Sequence, residues 1–308
     1  MDSQATFLDE HSPAAAWERE ATRRALDELF RNTARYSSSG AYQELLDFVS
    51  GFRSYSPYNA MLVNIQMRGA RYVAPASRWY HEYKRRIRPG ARPLVILQPM
   101  GPVMFVFDVS DTEPEEGAPK LPAKVTDPFQ VHKGAVRGEL AHTIENAMRD
   151  GIEVTEQDAG SQSAGLIRTT ERNQYLAFLE RQHPKPQYVR VLLRYELLLN
   201  KKHSAEVRYA TLTHELAHLY CGHLGTPNPK WWPDRRGLSP LVVEFEAESI
   251  SYLVCRRLGI HSPSAEYLAG YVRDHQKTPE ISLDCVMKVA GAIEQMGRKR
   301  LPPRKEEQ

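Results

Sequence analysis

The sequence predicts an α+β protein of two domains, and three observations carry the prediction. Residues 211–223, TLTHELAHLYCGH, have the apolar spacing of a helix. Residues 188–200, YVRVLLRYELLLN, are rich in apolar and β-branched side chains and read as one or two strands. Proline, glycine and charge crowd residues 111–128, as in a loop or linker. The expected organisation is a disordered 1–13, a smaller α+β domain over 14–128, a second domain over 129–298 and a polar tail over 299–308. In the second domain a helix carrying an HExxH pattern packs on a small mixed sheet, with further helices around it. A chain of 308 residues has room for about two such domains.

The elements follow in order. Residues 14–36 have helical spacing at Trp17, Leu26, Leu29 and Phe30, and further helices are expected over 41–52 and 58–67. PLVILQP and PVMFVFDVS, joined at Met100-Gly101-Pro102, read as a hairpin or a pair of adjacent strands. A helix over 137–151 leads into strands from about 152. Ser204 offers an N-cap to the helix whose apolar positions are Val207, Ala210, Leu212, Ala217 and Leu219, and Gly222, Gly225, Pro227 and Pro229 end it. An apolar helix over 241–260 precedes helices over 265–274 and 282–296.

The chemistry is concentrated in His214, Glu215 and His218. Positions four apart share a helix face, so the two imidazoles can hold one metal ion. Glu215 follows the first ligand directly. Its carboxylate therefore stands beside a metal-bound water and can take the proton as that water attacks a carbonyl, the arrangement of a zinc metallopeptidase. A strand edge next to such a helix can pair with an extended peptide.

A catalytic zinc needs a third protein ligand. His223 comes five residues after His218, and a continued helix would turn it about 140° away, which gives it a structural or supporting role. In LVVEFEAESISYLVCRRLGI (241–260), Glu244, Glu246 and Glu248 lie near the helix start. Glu244 and Glu248 share a face, so one can bind metal while the other orients a histidine, and Glu246 points elsewhere. The plain alternative is an acidic first turn favoured by the helix dipole.

THELAHLYCGHLG followed by EFEAESISYLVCRRLGI resembles the gluzincin-type metallopeptidase domain of the ImmA/IrrE superfamily and its relatives in ArdC-like antirestriction proteins. In that family the first glutamate of an ExxA(D/E/N) helix is the third ligand. The resemblance therefore implies Glu244 as ligand, with Ala247 and Glu248 matching the rest of the motif, a zincin-like fold, and Zn²⁺ as cofactor with Mn²⁺ as the alternative. Residues 56–97, SPYNAMLVNIQMRGARYVAPASRWYHEYKRRIRPGARPLVIL, are similar to the N-terminal region with which ArdC-like proteins bind single-stranded DNA.

Net charge is only +3, but it is unevenly distributed. Arg68, Arg71, Arg78, Lys84, Arg85, Arg86, Arg88 and Arg92 face Glu82 alone across 68–92, and Tyr72, Trp79, Tyr80 and Tyr83 interleave with them. Cations along a phosphate backbone, beside rings on which bases stack, are what single-strand binding requires. Arg78, Trp79, Lys84, Arg85, Arg86 and Arg88 are the candidates. The alternative is a solvated basic face whose aromatics turn inward to a small core. No apolar run reaches the roughly 18 residues of a membrane helix, and the N-terminus is acidic rather than signal-like. Cys221, Cys255 and Cys285 are widely spaced and suggest neither a disulfide framework nor a thiolate zinc site. The expected activity is a cytoplasmic metallo-endopeptidase acting on a peptide or protein substrate such as a regulatory protein. The alternative is an antirestriction protein that binds single-stranded DNA with little or no proteolysis. A purely structural metal domain has no use for Glu215.

Overall fold

The computed structural model describes residues 36–98, 101–127, 129, 133–158, 165–182 and 184–304. The expectations for 1–13 and for a helix over 14–36 lie outside them, Tyr36 apart. In chain order the helices are α1 (Ser39–Gly51), α2 (Pro57–Gln66), α3 (Ala76–Tyr83), α4 (Ala123–Thr126) and α5 (Glu139–Arg149), then α6 (Ala205–Tyr220), α7 (Pro240–Leu258), α8 (Pro263–Asp274) and α9 (Leu283–Arg298). The strands are β1 (Val73–Ala74), β2 (Arg85–Ile87), β3 (Leu94–Gln98), β4 (Gly101–Asp108), β5 (Thr112–Pro114) and β6 (Ile152–Gln157), then β7 (Gly165–Thr169), β8 (Tyr175–Arg181), β9 (Gln187–Leu192) and β10 (Tyr195–Asn200). The architecture is mixed α+β. Among the described residues no helix is long and apolar enough to cross a membrane.

The chain divides into two compact units, Met1–Ser37 with Asn59–Phe129 and Ser38–Tyr58 with Gln130–Gln308. In the first, β3 and β4 form the expected antiparallel hairpin, and β1 extends the sheet on the other side of β4. Side-chain amides from α2 satisfy the outer edge of β3. Gln66 accepts from Val95 N–H and donates to Val95 O, both at 2.8 Å, and Asn59 does the same for Leu97 at 2.9 Å. Such pairing removes the open edge that a sheet otherwise presents. Residues 111–128 were expected to be loop or linker at the end of the first domain, and the described part of them carries β5 and α4. β5 pairs with β2, and Leu121 and Val125 pack into the core around Trp79, because two apolar anchors suffice to fold a polar stretch back.

The second unit holds the HExxH helix. β10 is the centre of a three-stranded sheet, parallel to β6 and antiparallel to β7. Tyr195, Leu197 and Leu199 alternate along β10 and are buried on one face, the period-two pattern of a strand packed on one side. Helix α6 lies against β7 and β10, and α5 against β6. Helix α7 packs against α1, α6, α8 and α9. It is therefore apolar on several faces, with Phe245, Ile250 and Leu253 wholly buried. Each such side chain contributes about 1.5–3 kcal/mol.

Helix α1 belongs to this second unit, although the sequence reading assigned it to the domain over 14–128. The reason is packing. Tyr42 meets Phe245 at a ring distance of 5.4 Å, and Tyr252 donates to Asp47 at 2.8 Å. The buried Arg257 guanidinium donates to the carbonyl of Val49 in the last turn of α1, to those of Phe52 and Tyr55 beyond it, and to Glu294. A buried charge needs a partner on every donor, and Arg257 finds them on this segment.

Candidate metal centre

Local sequence sets up the site. The Ser204 hydroxyl accepts from Val207 N–H and caps α6, which then runs unbroken through the motif to Tyr220. Gly222 has φ +79°, and a Cβ there would lie 1.9 Å from Pro233 O, so only glycine allows the chain to turn back so tightly. Ser239 caps α7 and Pro240 takes its first turn, which brings Glu244 and Glu248 to face α6.

The imidazoles of His214 and His218 present Nε2 to Nε2 at 3.1 Å. Glu244 sets its carboxylate oxygens 3.6 Å from His214 Nε2 and 3.7 Å from His218 Nε2. One ligand atom from each of the three residues lies within 4.8 Å of the others. Two imidazole nitrogens and a carboxylate oxygen converging in this way form a His₂Glu donor set, which suits Zn²⁺ or Mn²⁺. The far nitrogens fit as well. His214 Nδ1 is 3.7 Å from Glu248, and His218 Nδ1 is 3.1 Å from His223 Nδ1, so both rings are held from behind with Nε2 facing the convergence point.

Electrostatics follow the geometry. Burial pushes the His214 imidazole down, but Glu248, Glu215 and Glu244 outweigh it and leave the ring easier to protonate than usual. Burial lowers His218 to about 3, helped by His214 and His223, which keeps its ring neutral as a metal ligand must be. Glu248 is pushed up by burial yet ends below the usual range because it faces His214. Glu215 goes the other way. Burial raises its carboxyl against the pull of His214 and of the Ile167 N–H, which it accepts through Oε2 at 2.9 Å. A carboxylate with raised proton affinity beside a metal site is a suitable general base.

Glu215 thus links α6 to the edge strand β7. This contact depends on Gly165, where a Cβ would lie 2.4 Å from Thr211 Cγ2. Gly165, Val207, Ala210, Thr211, Pro263 and Ser264 wall a cavity of about 230 Å³ that opens onto His214, Glu215 and Glu248.

His223, expected in a structural or supporting role, reaches its place by a turn and not by continued helix. The helix ends before it, Gly222 turns the chain, and His223 folds back to donate its N–H to His218 O at 3.0 Å. Its Nε2 lies 2.9 Å from Glu246 Oε2. Glu246, expected to point elsewhere, is fully buried and receives Arg235 on both oxygens at 2.7 Å and Ser282 N–H at 2.7 Å. Burial would raise this carboxyl, but the donors from His223, Arg235 and Ser282 hold it at about 2. Cys221, His223 and Glu246 also approach one another closely enough to hold a metal. The Arg235 guanidinium on both Glu246 oxygens already supplies the cation there. Glu246 and Arg235 form a buried ion pair behind His223 that the sequence reading did not assign. The available signal was a carboxylate on an otherwise apolar helix face.

The nucleic-acid candidates of the first unit separate into two groups. Arg78, Lys84, Arg86 and Arg88 are exposed, Arg85 half-buried. Arg78 pairs with Glu82, Arg86 with Glu115, and Arg85 donates to Thr112. Trp79 corrects the expectation. It is wholly buried, donates through Nε1 to Phe107 O at 2.9 Å, and packs with Tyr72 and Tyr83. It is not available for stacking on a base. Its spacing of four from Tyr83 on α3 puts both rings on one inward face. Tyr80, half exposed, is the ring of this group that faces solvent.

No protein-family model matches the chain. No curated protein sequence matches it either. Among solved structures the chain is similar to two crystal structures of the antirestriction protein ArdC from the R388 plasmid. The metal-free structure is 16% identical over 79% of this chain and 82% of that one, at a TM-score of 0.30. The Mn(II)-bound structure is 13% identical over 83% of this chain and 94% of that one, at a TM-score of 0.32.

Proposed function

We propose that His214, His218 and Glu244 hold one divalent cation and that the chain is a zincin-like metallo-endopeptidase, with Glu215 as the general base. The convergence of two imidazole nitrogens and a carboxylate oxygen, all within 4.8 Å, next to a carboxylate of raised proton affinity, carries this reading. When bound, the cation would polarise a carbonyl and make a water acidic enough to attack near neutral pH. Glu215 takes a proton from the attacking water and later delivers it to the leaving amine as the C–N bond breaks. The Ile167 N–H keeps its carboxylate aimed at the site. Among the described residues β7 pairs on one side only, with β10, so its other side can receive an extended peptide. The proposed substrate is a cytoplasmic regulatory protein.

Zn²⁺-loaded protein incubated with a mixture of unstructured peptides tests this reading. Wild type is expected to generate new amino termini, and Glu215→Gln to do so about 10²–10⁴-fold more slowly while holding the same amount of metal. Equal rates would overturn the assignment of Glu215.

A second reading is an ArdC-like antirestriction protein that binds single-stranded DNA and performs little or no proteolysis. On this chain it is supported by the exposed Arg71, Arg78, Tyr80, Lys84, Arg86, Arg88 and Arg92 of the first unit. Binding of labelled oligothymidylate alongside failure to cleave any peptide would favour it.

A further inference from the structure

We infer that Glu246 and His223 are positioning residues: acting through His223, Glu246 holds His218 in the tautomer whose Nε2 is free of its proton. The inference rests on the reading of His218 as a metal ligand and says what makes it one.

Both oxygens of Glu246 are occupied by groups that can only donate, the Arg235 guanidinium and the Ser282 N–H. Glu246 therefore remains a carboxylate, and a carboxylate only accepts. His223 Nε2, at 2.9 Å from Oε2, must carry the hydrogen. A neutral imidazole protonated at Nε2 has its lone pair on Nδ1. That lone pair faces His218 Nδ1 at 3.1 Å, so His218 must donate from Nδ1. Its own lone pair is thereby fixed on Nε2, the atom 3.1 Å from His214 Nε2 and 3.7 Å from Glu244.

With His223 neutral, the reverse direction would require Glu246 to donate while surrounded by donors, which leaves at least one buried N–H or O–H without an acceptor. An imidazolium at His223 would instead donate to His218 Nδ1 and leave the proton on His218 Nε2, the outcome that overturns the inference. A metal-binding histidine commonly donates its other nitrogen to a carboxylate or carbonyl, which fixes tautomer and ring orientation. Here the carboxylate is one imidazole further away. It belongs to α7, as does Glu244, and the Cys221-Gly222 turn brings His223 between Glu246 and His218.

The test uses the full chain labelled with ¹⁵N-histidine, free of metal and near neutral pH. Ring ¹H–¹⁵N correlations report which nitrogen of each imidazole is protonated, with His218 and His223 assigned from the spectra of His218→Leu and His223→Leu. The expected result is a proton on Nδ1 of His218 and on Nε2 of His223. A proton on Nε2 of His218, or equal population of its two forms, would overturn the inference.

Zn²⁺ affinity, read by competition with a chromophoric chelator, gives the second arm. His223→Leu is expected to weaken binding about 10–100-fold. His223→Gln keeps most of the affinity, because its amide can accept from His218 and donate to Glu246. A folded His223→Leu that binds Zn²⁺ as tightly as wild type would overturn the relay. Should that variant not fold, the tautomers of wild type decide alone. A wild-type chain with the expected tautomers that takes up no Zn²⁺ supports the relay and overturns the metal reading beneath it.

Discussion

Glu246 is a buried carboxylate and Glu215 a half-buried one, and their surroundings drive them in opposite directions. Glu215 has one N–H donor, from Ile167, and burial wins. Glu246 has an arginine, a histidine and a backbone N–H, and the donors win. The first can act as a base and the second as a fixed negative anchor. Trp79 illustrates the same dependence on surroundings in the first unit. Truncation at Trp79 is expected to remove about 3–5 kcal/mol of stability, seen as a lower urea midpoint for Trp79→Ala. A variant of unchanged stability with weakened DNA binding would return this residue to the surface. His214, Glu215 and His218 were legible because their geometry is written in one helix. Glu246 was not, since its partners Arg235, His223 and Ser282 lie 11, 23 and 36 residues away.

At the scale of elements, the contact between α6 and β7 joins the base to the edge strand. Gly165 permits it, since any Cβ would run into Thr211. Gly165→Val is expected to cost about 1–3 kcal/mol through overpacking, and to release Ile167 from Glu215, so that peptide hydrolysis falls more than metal content does. Thermal unfolding together with elemental analysis checks both parts. Normal hydrolysis in a folded Gly165→Val chain would separate β7 from the chemistry. Helix α6 was legible from its Ser204 cap, its apolar spacing and the closing Gly222, and α7 from its apolar run; the caps of α7, Ser239 and Gly259, were not singled out. Strand β7 was not singled out. Five residues with Gly and Arg among them carry little periodic signal, and their place is decided by pairing with β10, some thirty residues later.

For the whole molecule, the two units hold separate sets of candidate residues, the basic face in the first and the His₂Glu cluster in the second. Helix α1 shows why their boundary was hard to read: a local helical pattern does not say which core will bury it, and Arg257, some two hundred residues on, supplies the answer. If the first unit binds single strands, replacing Lys84, Arg86 and Arg88 together by alanine should weaken binding of oligothymidylate. The salt dependence should fall by about 0.7 in log–log slope per lost phosphate contact. Fluorescence anisotropy over a salt series reads this, and an unchanged slope would remove these residues from any DNA interface. Peptide hydrolysis by the second unit is expected to be unaffected by the triple substitution.

Wild type, His214→Ala and Glu244→Ala are each equilibrated with Zn²⁺, freed of unbound ion and analysed for metal content. Wild type is expected to hold about one equivalent, and both variants to lose it. Wild type without metal, or Glu244→Ala with as much as wild type, would contradict the proposed metal site.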